Sequence, residues 1–302
     1  MKARKNYSIL FFSMIVFALF VSACTSITTN TGTKSTLTAA QIIQKSAVAM
    51  KNLKSSHIET KSTLKAASAT TGAQASKTSS TPTAIGGSVT ETGSGDQQGN
   101  DQKLNVTTTV DQQQIKIAEV VKGNNVYIQN AQGKWYVLNA SQVSGQYSSM
   151  FSGVSVDQNS LLGVLQDIKL VDHNDVTLNG ATVRHLTASL DKNALTQLLN
   201  QDTQLKNSLG QQTIDEVISS AKVFSAVVDV WIDEKTFYVN QTEFKLNIVV
   251  DPSKVSKSAP SVGTTSVDST INLSKFNDPV TITAPSGATP TANPAVVFGL
   301  SQ

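Results

Sequence analysis

Few residues of this 302-residue chain have the type and spacing that catalysis or metal binding requires. The three histidines, His57, His173 and His185, lie far apart in the sequence, and none belongs to a zinc pattern such as HExxH. We expect His57 and His185 to lie on strands, as solvent-facing or hydrogen-bonded side chains. No serine has the GxSxG context of a nucleophile elbow. The sequence therefore offers no catalytic residue and no metal site, and we expect a protein that is not an enzyme.

Two further motifs fail on their spacing. Residues 93–99, GSGDQQG, are one residue too long for the dinucleotide pattern GxGxxG, and no strand–helix unit surrounds them, so they are interpreted as linker glycines. Asp172 begins a stretch that resembles a calcium loop. Thr177 and Val183 occupy the sixth and twelfth positions, where such a loop needs glycine and a bidentate glutamate. We therefore expect no cofactor.

Cys24 is the residue with the clearest chemical context, and it is the only cysteine of the chain. Before it come a basic segment, 2–5, and an apolar segment, 9–21, which is short beside the roughly 20 residues that span a bilayer. The apolar segment closes on Val21-Ser22-Ala23-Cys24, which resembles the bacterial lipobox. There the small residues fit a narrow peptidase pocket and the thiol accepts a diacylglyceryl group. We predict a signal peptide over 1–23 and lipid attachment at Cys24; the alternatives are a buried structural cysteine and an uncleaved anchor.

Charge and composition after Cys24 bear on partners. Three of the 24 basic residues precede Cys24 and no acidic residue does, so the remainder carries 21 of each and is formally neutral. A neutral surface releases few counterions from a phosphate backbone, so nucleic acid is not expected as a partner. Residues 24–36 are rich in Ser, Thr and Gly, and are interpreted as a flexible tether between membrane and domain.

The globular part opens with a helix signal. Thr38 and Gln41 form a capping box, and the apolar residues behind them recur at helical spacing, which predicts a helix over 38–54. From His57 to Lys65 the period changes to two, which predicts a half-exposed strand. Residues 67–102 contain no aromatic and few large aliphatics. This composition favours a mobile, low-complexity insertion in a β-hairpin, with a short strand near Val89 as one option.

The remaining chain carries mainly strand signals. Closely spaced strands predict an antiparallel meander, because parallel pairs need long crossovers. The expected strands are 104–110, 115–121, 126–128, 135–138, 168–176, 183–190, 226–232, 244–250 and 267–273. Short helices are expected around 161–165, after Asp191, and after a second capping box at 213–216.

These elements predict one α+β domain over 37–285. Its large curved antiparallel sheet would form an open half-barrel, with helices over the apolar face. The Pro/Thr/Ala-rich residues 286–302 are interpreted as a loose tail.

Several stretches resemble the LprG/LppX-type lipoproteins, whose fold is similar to that of the lipoprotein carrier LolA. The most specific is 271–285, INLSKFNDPVTITAP, which resembles the closing strand of that family. Val230-Trp231-Ile232 resembles a central strand, Asn179-Gly180 a hairpin, and 133–135 and 53–57 match as well. The resemblance covers about 38–285, apart from 67–102, which the family does not usually carry.

The resemblance implies an acylated lipid or glycolipid held in an apolar cavity and helped through the cell envelope. It implies a location on the extracytoplasmic face of the membrane through Cys24, with envelope transport proteins as further partners. On this basis the expected cavity-lining residues are Ile43, Met50, Leu104, Val106, Ile115, Ile117, Leu161, Leu165, Val228, Val230, Ile232, Phe244, Leu246 and Ile248.

Two alternatives stay open. The helices could fill the space under the sheet completely, since sequence does not distinguish a solid core from a lined cavity. The chain would then be a surface protein-interaction lipoprotein without lipid cargo. A soluble LolA-like chaperone is a third hypothesis, and an anchor at Cys24 argues against it.

Overall fold

The computed structural model describes residues 28–29, 36–68, 87–110, 113–139, 158–173, 175–201, 215, 218–250, 262–293 and 296–297. Three helices have described bounds: α1 Ala39–Lys51, α2 Gln158–Leu165 and α3 Lys192–Gln201. The strands are β1 Thr28–Thr29, β2 Ser55–Ser68, β3 Gly87–Gln98, β4 Asp101–Val110, β5 Gln113–Lys122, β6 Asn125–Gln129, β7 Trp135–Asn139, β8 Leu170–Asp172, β9 Val176–Leu178, β10 Ala181–Leu190, β11 Ala221–Asp233, β12 Val239–Val250, β13 Val262–Ser274 and β14 Thr289–Pro290.

All fourteen strands belong to one open sheet. Their order is β1-β9-β10-β11-β12-β13-β2-β3-β4-β5-β6-β7-β14, and β8 pairs with β10 beside this path. Every pair is antiparallel except β14 with β7, which is parallel. The predicted α+β class, with a large open sheet and helices on its apolar face, is confirmed. The sheet is mixed rather than wholly antiparallel, because the chain returns after β13 to the far edge.

Local signals place the helices where the sequence predicts them. The Thr38 side chain accepts a hydrogen bond from the Gln41 amide, and the Gln41 side chain accepts one from the Thr38 amide, so the predicted capping box is confirmed. The helix ends at Lys51, three residues before the predicted end, and Asn52 is its C-cap. Helix α3 is capped by Asp191, whose carboxylate accepts from the Ala194 amide. The second predicted capping box, 213–216, lies almost entirely outside the described residues.

The predicted insertion over 67–102 is wrong in its second half. Residues 87–98 form β3, which pairs along its length with β2 on one side and β4 on the other. A strand inside a sheet is held by two ladders of backbone hydrogen bonds, and its neighbours supply the apolar burial that its own composition lacks. The low content of large aliphatic residues therefore did not prevent ordering. Residues 69–86 lie outside the described part.

The predicted tether and tail also contain ordered residues. Within 24–36, Thr28 and Thr29 form β1 and pair with Thr177 and Val176 of β9. Within 286–302, strand β14 pairs with β7, and Val297 is buried against β6 and β7. Short polar segments can extend a sheet edge because pairing uses the backbone, whatever the side chain. The expected flexible tether and loose tail are therefore wrong for these residues.

Two apolar clusters pack on one side of the sheet, at separate places, and a third, small cluster of Val176, Leu178, Val183 and Trp231 lies on the other side. The larger cluster joins α1, α2 and α3 to β10, β11, β12 and β13, with Ile58 and Leu64 of β2 at its margin. The smaller cluster joins β6 and β7 to Val297, with Ile117 and Val121 of β5 at its margin. We call the sheet side that carries both clusters the core face, and the opposite side the outer face. The strand register assigns residues to these faces, because directly opposed residues share a face.

Candidate functional site

The structure divides the predicted cavity-lining residues among several places. Eight of the fourteen pack in the larger cluster: Ile43, Met50, Leu161, Leu165, Val228, Val230, Ile232 and Phe244. Leu246 packs at the margin of that cluster and Ile117 at the margin of the smaller one. Leu104, Val106 and Ile248 are buried but belong to neither cluster, and Ile115 is 47% exposed. The fourteen residues therefore do not line one space, and those in the larger cluster are helix–sheet core.

A different set of residues lies between the two clusters, on the core face of β3, β4 and β5. We call these residues the intercluster strip: Glu91, Gly93, Gly95, Leu104, Val106, Ile115, Ile117 and Glu119. The register runs directly across it, because Gly93 opposes Val106 and Val106 opposes Ile117. In the next row Gly95 opposes Leu104 and Leu104 opposes Glu119. Leu104 and Val106 belong to neither the larger nor the smaller cluster of the core face.

Two glycines bring the strands of the strip close together. A Cβ added at Gly95 would lie 1.9 Å from the Lys103 carbonyl oxygen, and one added at Gly93 would lie 2.6 Å from Thr60 Oγ1. Glycine inside a strand marks a bend or a close approach of another backbone. The pair therefore fixes the local path of the sheet in the strip. The expectation that 93–99 is a glycine linker is wrong for these two residues, while Gly99 lies in the turn before β4 with a φ of 57°.

Glu119 is the unusual residue of the strip. It is 8% exposed, and its neighbours across the register are the buried side chains of Leu104 and Ile128. Its Oε2 atom is buried and has no hydrogen-bond partner. Burial raises the pKa of the carboxyl group to about 8, so the group is mostly protonated at neutral pH. Burial also raises the pKa of Glu91, at the other end of the strip.

The two-residue periodicity of β5 is a sequence signal for Glu119, although no motif contains this residue. The odd-numbered positions 115–121 of β5 share one face, and three of the four are aliphatic: Ile115, Ile117 and Val121. Glu119 occupies the position between Ile117 and Val121 in the same row. An acid in an apolar row of a strand is either exposed by a bend or buried, and only the structure distinguishes the two. Ser62 is a second buried polar residue of the core face whose hydroxyl has no partner, and it opposes Glu91.

The outer face carries polar groups and a cleft of about 500 Å³. Three lysines and several hydroxyl and amide side chains of four strands line it: Lys61, Lys65, Lys245, Thr63, Thr270, Ser225, Ser266 and Asn247, with Asp268 between them. Lys245 also lies 3.0 Å from Glu243. The hydrogen bond and charge of Glu243 raise the pKa of Lys245. This cleft lies on the side of the sheet opposite to the one where the sequence predicts an apolar cavity.

The histidines are partnered on the outer side of the sheet. His57 Nδ1 lies 2.6 Å from Asp96 Oδ1, and His173 Nε2 lies 2.9 Å from Thr187 Oγ1. His185 stacks between His173 and Trp231, and its Nε2 lies 2.8 Å from Asp229 Oδ1. The prediction of hydrogen-bonded histidines is confirmed.

The electrostatics around these histidines reflect the same partners. Burial opposes ionisation of Asp229, but hydrogen bonds with His185 and Thr187 hold its pKa below its usual range. In the described part of the chain, no group of three or more His, Cys, Asp or Glu side chains is placed to hold a metal ion.

Arg184 forms the principal buried charge cluster of the core face. Its side chain is fully buried, and its Nε atom lies 2.9 Å from Glu234 Oε1 and 3.4 Å from Asp175 Oδ1. One terminal nitrogen lies 3.4 Å from Asp172, and the other donates to the Leu37 carbonyl just before α1. Burial and the nearby Asp175 raise the pKa of Glu234 in spite of the guanidinium. This cluster fastens the start of α1 to the sheet.

No described helix is both long enough and apolar enough to cross a bilayer. Cys24, the predicted site of lipid attachment, lies outside the described residues.

Comparison with known families identifies the domain that contains the strip. Residues 38–293 match the profile of DUF6612, a family of unknown function. The chain belongs to this family. The match spans the larger cluster, the strip and the strands β2 to β14, and ends before Val297 of the smaller cluster. No curated protein matches the chain.

Two solved structures are similar to the chain, the first of them a lipoprotein. One is LppX from Mycobacterium tuberculosis, at 16% identity and a TM-score of 0.40, over 81% of this chain and 97% of that one. The other is LprF from Mycobacterium bovis, at 13% identity and a TM-score of 0.44, over 82% of this chain and 97% of that one. The fold itself rests on the strand order and register described above.

Proposed function

We propose that this DUF6612 member is an envelope lipoprotein that binds an acylated lipid or glycolipid against the intercluster strip and helps its transfer. Its role is binding rather than catalysis. The observation that carries the proposal is the composition of the strip: buried aliphatic side chains beside buried polar atoms that lack a partner. An amphiphile has the matching composition, because its chains are apolar and its head carries hydrogen-bonding groups.

The apolar part of the strip supports binding of acyl chains. Leu104 and Val106 are buried without belonging to either cluster, and Ile115, in the same face, is an exposed large aliphatic residue. Transfer of one methylene group from water to an apolar site is worth about 0.8 kcal/mol, so a 16-carbon chain gains on the order of 12 kcal/mol before the costs of binding. The strip would therefore bind one acyl chain tightly if most of that chain leaves water along it.

The polar part of the strip supports an amphiphile over a pure hydrocarbon. A buried polar atom without a partner costs about 1–3 kcal/mol, and a ligand group that bonds to it removes this cost. Glu119 Oε2 and Ser62 Oγ are two such atoms on the core face. Glu119 lies beside Leu104, whereas Ser62, on β2, lies next to Glu91 at the margin of the strip, so a ligand that spans the strip would contact both kinds of group.

The leader supports the envelope location. A basic segment, an apolar segment and the sequence Val21-Ser22-Ala23-Cys24 are typical of bacterial lipoprotein precursors. In the proposal, residues 1–23 are removed and acylated Cys24 holds the domain at the extracytoplasmic face of the cell membrane. Replacement Cys24→Ser should move the protein from the detergent phase to the aqueous phase of a Triton X-114 partition. Retention in the detergent phase would contradict lipid attachment at Cys24.

The binding proposal is tested by the lipid content of gently purified protein. Mass spectrometry of the solvent extract should find acyl lipids in the wild-type chain. Val106→Trp would fill the strip and should remove most of them. Asn105→Trp places the same side chain on the outer face of the same strand and should leave them unchanged, so it is the matched control.

A third variant tests the outer cleft. Lys61→Glu alters its charge and should not change lipid content, because the cleft lies on the other side of the sheet. If Val106→Trp retains lipid while Lys61→Glu loses it, the ligand binds in the outer cleft and the proposal is wrong. Wild-type protein that contains no lipid and takes up no fluorescent acyl probe would also overturn it.

A further inference from the structure

Glu119 differs from the other buried acids of the core face in having no cation beside it. Asp175 and Glu234 lie within 3.4 Å of Arg184. Glu119 instead lies between Leu104 and Ile128, and its Oε2 atom has no partner. A buried carboxylate without a counter-charge is costly, so the protein holds this group in its neutral form. The fold gains nothing evident from an acid at this position.

A neutral carboxyl group has a specific recognition chemistry. Its O–H donates one hydrogen bond and its carbonyl oxygen accepts another. Ester carbonyls and hydroxyls of lipid head regions are complementary to this pair. A free fatty-acid carboxylate is less suitable, because a second negative charge in the same apolar place would have to be desolvated and would repel any ionised fraction of Glu119.

We propose that Glu119 is the polar contact for the ester or hydroxyl group of an uncharged acyl lipid, and that it selects such lipids over free fatty acids. This inference rests on the proposed function and assigns a specificity-determining residue to the same site. The ligand's chains would lie along Leu104, Val106 and Ile117, and its ester region would reach the carboxyl group of Glu119.

The residues directly beside Glu119 on β4 and β6 carry no ionisable group, so Glu119 is the main titrating residue of its part of the strip. On β3 the core-face acid is Glu91, two strands away and displaced by two same-face positions. On β6 and β7 the facing residues are Ile128 and then Tyr136. The core-face positions of β4 beside Glu119 are Leu104 and Val106, which do not titrate. No lysine or arginine occupies the described core-face positions of β3, β4 or β5.

The test compares two fluorescent probes that share one acyl chain, a monoacylglycerol and the free fatty acid. Full-length protein is stripped of lipid and titrated with each near about pH 7. Wild type should bind the ester at least about tenfold more tightly than the acid. Glu119→Leu should lose this preference while it still binds the acid probe. Glu119→Gln keeps an amide that donates and accepts, and should keep the preference.

A pH series separates this role from simple packing. Above about pH 8, ionisation of Glu119 should weaken binding of the ester probe by up to about tenfold per pH unit in wild type. Glu119→Gln should show no such decline. Glu59→Gln replaces an exposed acid on the outer face of β2, away from the strip, and is the matched control that should retain the decline.

The outcomes distinguish the two proposals. If neither probe binds to any variant, the proposed lipid-binding function fails. If both probes bind to wild type and to Glu119→Leu with the same ratio of affinities, lipid binding stands and the role of Glu119 is refuted. Persistence of the pH dependence in Glu119→Gln, at the strength seen in wild type and in Glu59→Gln, would also refute it.

Discussion

Arg184 and Glu119 are both buried ionisable residues on the same side of one sheet, and their surroundings differ completely. Arg184 lies under the start of α1 with three acids and a backbone carbonyl around its guanidinium. Glu119 lies between two aliphatic side chains, and one of its oxygens has no partner. The first group lies in ion pairs supplied by its own fold, although the Arg184 Nε atom does not meet its two nearest carboxylates in hydrogen-bond geometry. The second would be satisfied only by a group from outside the described residues, as a ligand is.

The difference teaches how to separate structural from ligand-directed polar residues. A buried ion cluster adds little net stability over an apolar core, but removing one partner is strongly destabilising. An isolated buried acid is destabilising while the site is empty, so its replacement by an apolar residue should stabilise the empty protein. The two regions should therefore respond to substitution with opposite sign. The expected effects follow from the largest to the smallest.

Arg184→Leu should lower the free energy of unfolding by about 3–5 kcal/mol, because Asp172, Asp175 and Glu234 would lose their shared cation. Urea unfolding followed by circular dichroism measures the change. Lys61→Leu, on the exposed outer face, is the control and should change stability by no more than about 0.5 kcal/mol. A loss of less than about 1 kcal/mol in Arg184→Leu would contradict the architectural role of the cluster.

Gly95→Ala should lower the free energy of unfolding by about 1–3 kcal/mol, because the new methyl group would meet the Lys103 carbonyl oxygen. Gly163→Ala is the matched control. Its nearest neighbour would be Gln201 Oε1 at 3.7 Å, and alanine favours helix α2 by up to about 1 kcal/mol. If the two variants unfold at the same denaturant concentration, strands β3 and β4 do not approach as closely in the strip as described.

Glu119 should make stability depend on pH in a direction opposite to that of an ordinary carboxylate. Its pKa rises from an ordinary value of 4.5 to about 8 on folding, so between these values the folded state binds more protons than the unfolded state. Stability from this group is fully present below about pH 4.5 and is lost as the pH rises to about 8, at up to about 1.4 kcal/mol per pH unit.

The measurement is the difference between wild type and Glu119→Gln in a series of urea unfolding curves across that range. The glutamine variant should lack this decline, whereas titration of Glu234 and Glu91 contributes equally to both proteins. Parallel pH profiles in the two proteins would show that Glu119 is not desolvated in the folded state.

Thr38→Ala should cost about 1 kcal/mol, because it removes the side-chain acceptor of the capping box. The effect should be concentrated at the Arg184 end of the molecule, since Leu37, which Arg184 contacts, directly precedes the cap. Hydrogen exchange should accelerate in α1 and remain unchanged in β4 and β5. Thr38→Ser keeps a hydroxyl and is the control. Uniform acceleration across the sheet would contradict independent behaviour of the two regions.

Much of the fold could be predicted from periodicity and capping. Strands β11, β12 and β13 alternate apolar and polar residues so regularly that their core faces were correct, and Thr38 with Gln41 marked the start of α1. A short strand near Val89 was an option from the sequence, and Val89 does lie in β3, but the twelve-residue length of β3 could not be predicted, because the backbone pairing of its neighbours, and not its own side chains, keeps it in the sheet. The parallel pair of β14 and β7 depends on contacts about 150 residues apart, which no local pattern encodes.

The candidate site was less predictable than the fold. Leu104, Val106 and Ile117 were among the expected lining residues, and the structure places them together. Most of the other expected residues lie in the packed core, whereas Ile115 is exposed and Ile248 is buried outside both clusters. The alternation of apolar and polar residues identifies a face of the sheet, but it does not identify what covers that face. Glu119 became visible only when the register set it between Leu104 and Ile128.

The terminal strands β1 and β14 have a consequence for self-association. At one margin β8, three residues long, pairs with β10 beside the main path, while β1 and β14 occupy the two ends of the strand order. Each is only two residues long, and β14 contains Pro290, which has no amide hydrogen to donate. Such margins are poor templates for recruiting a strand from another molecule. A protein held at high local density on a surface would thereby avoid polymerising edge to edge.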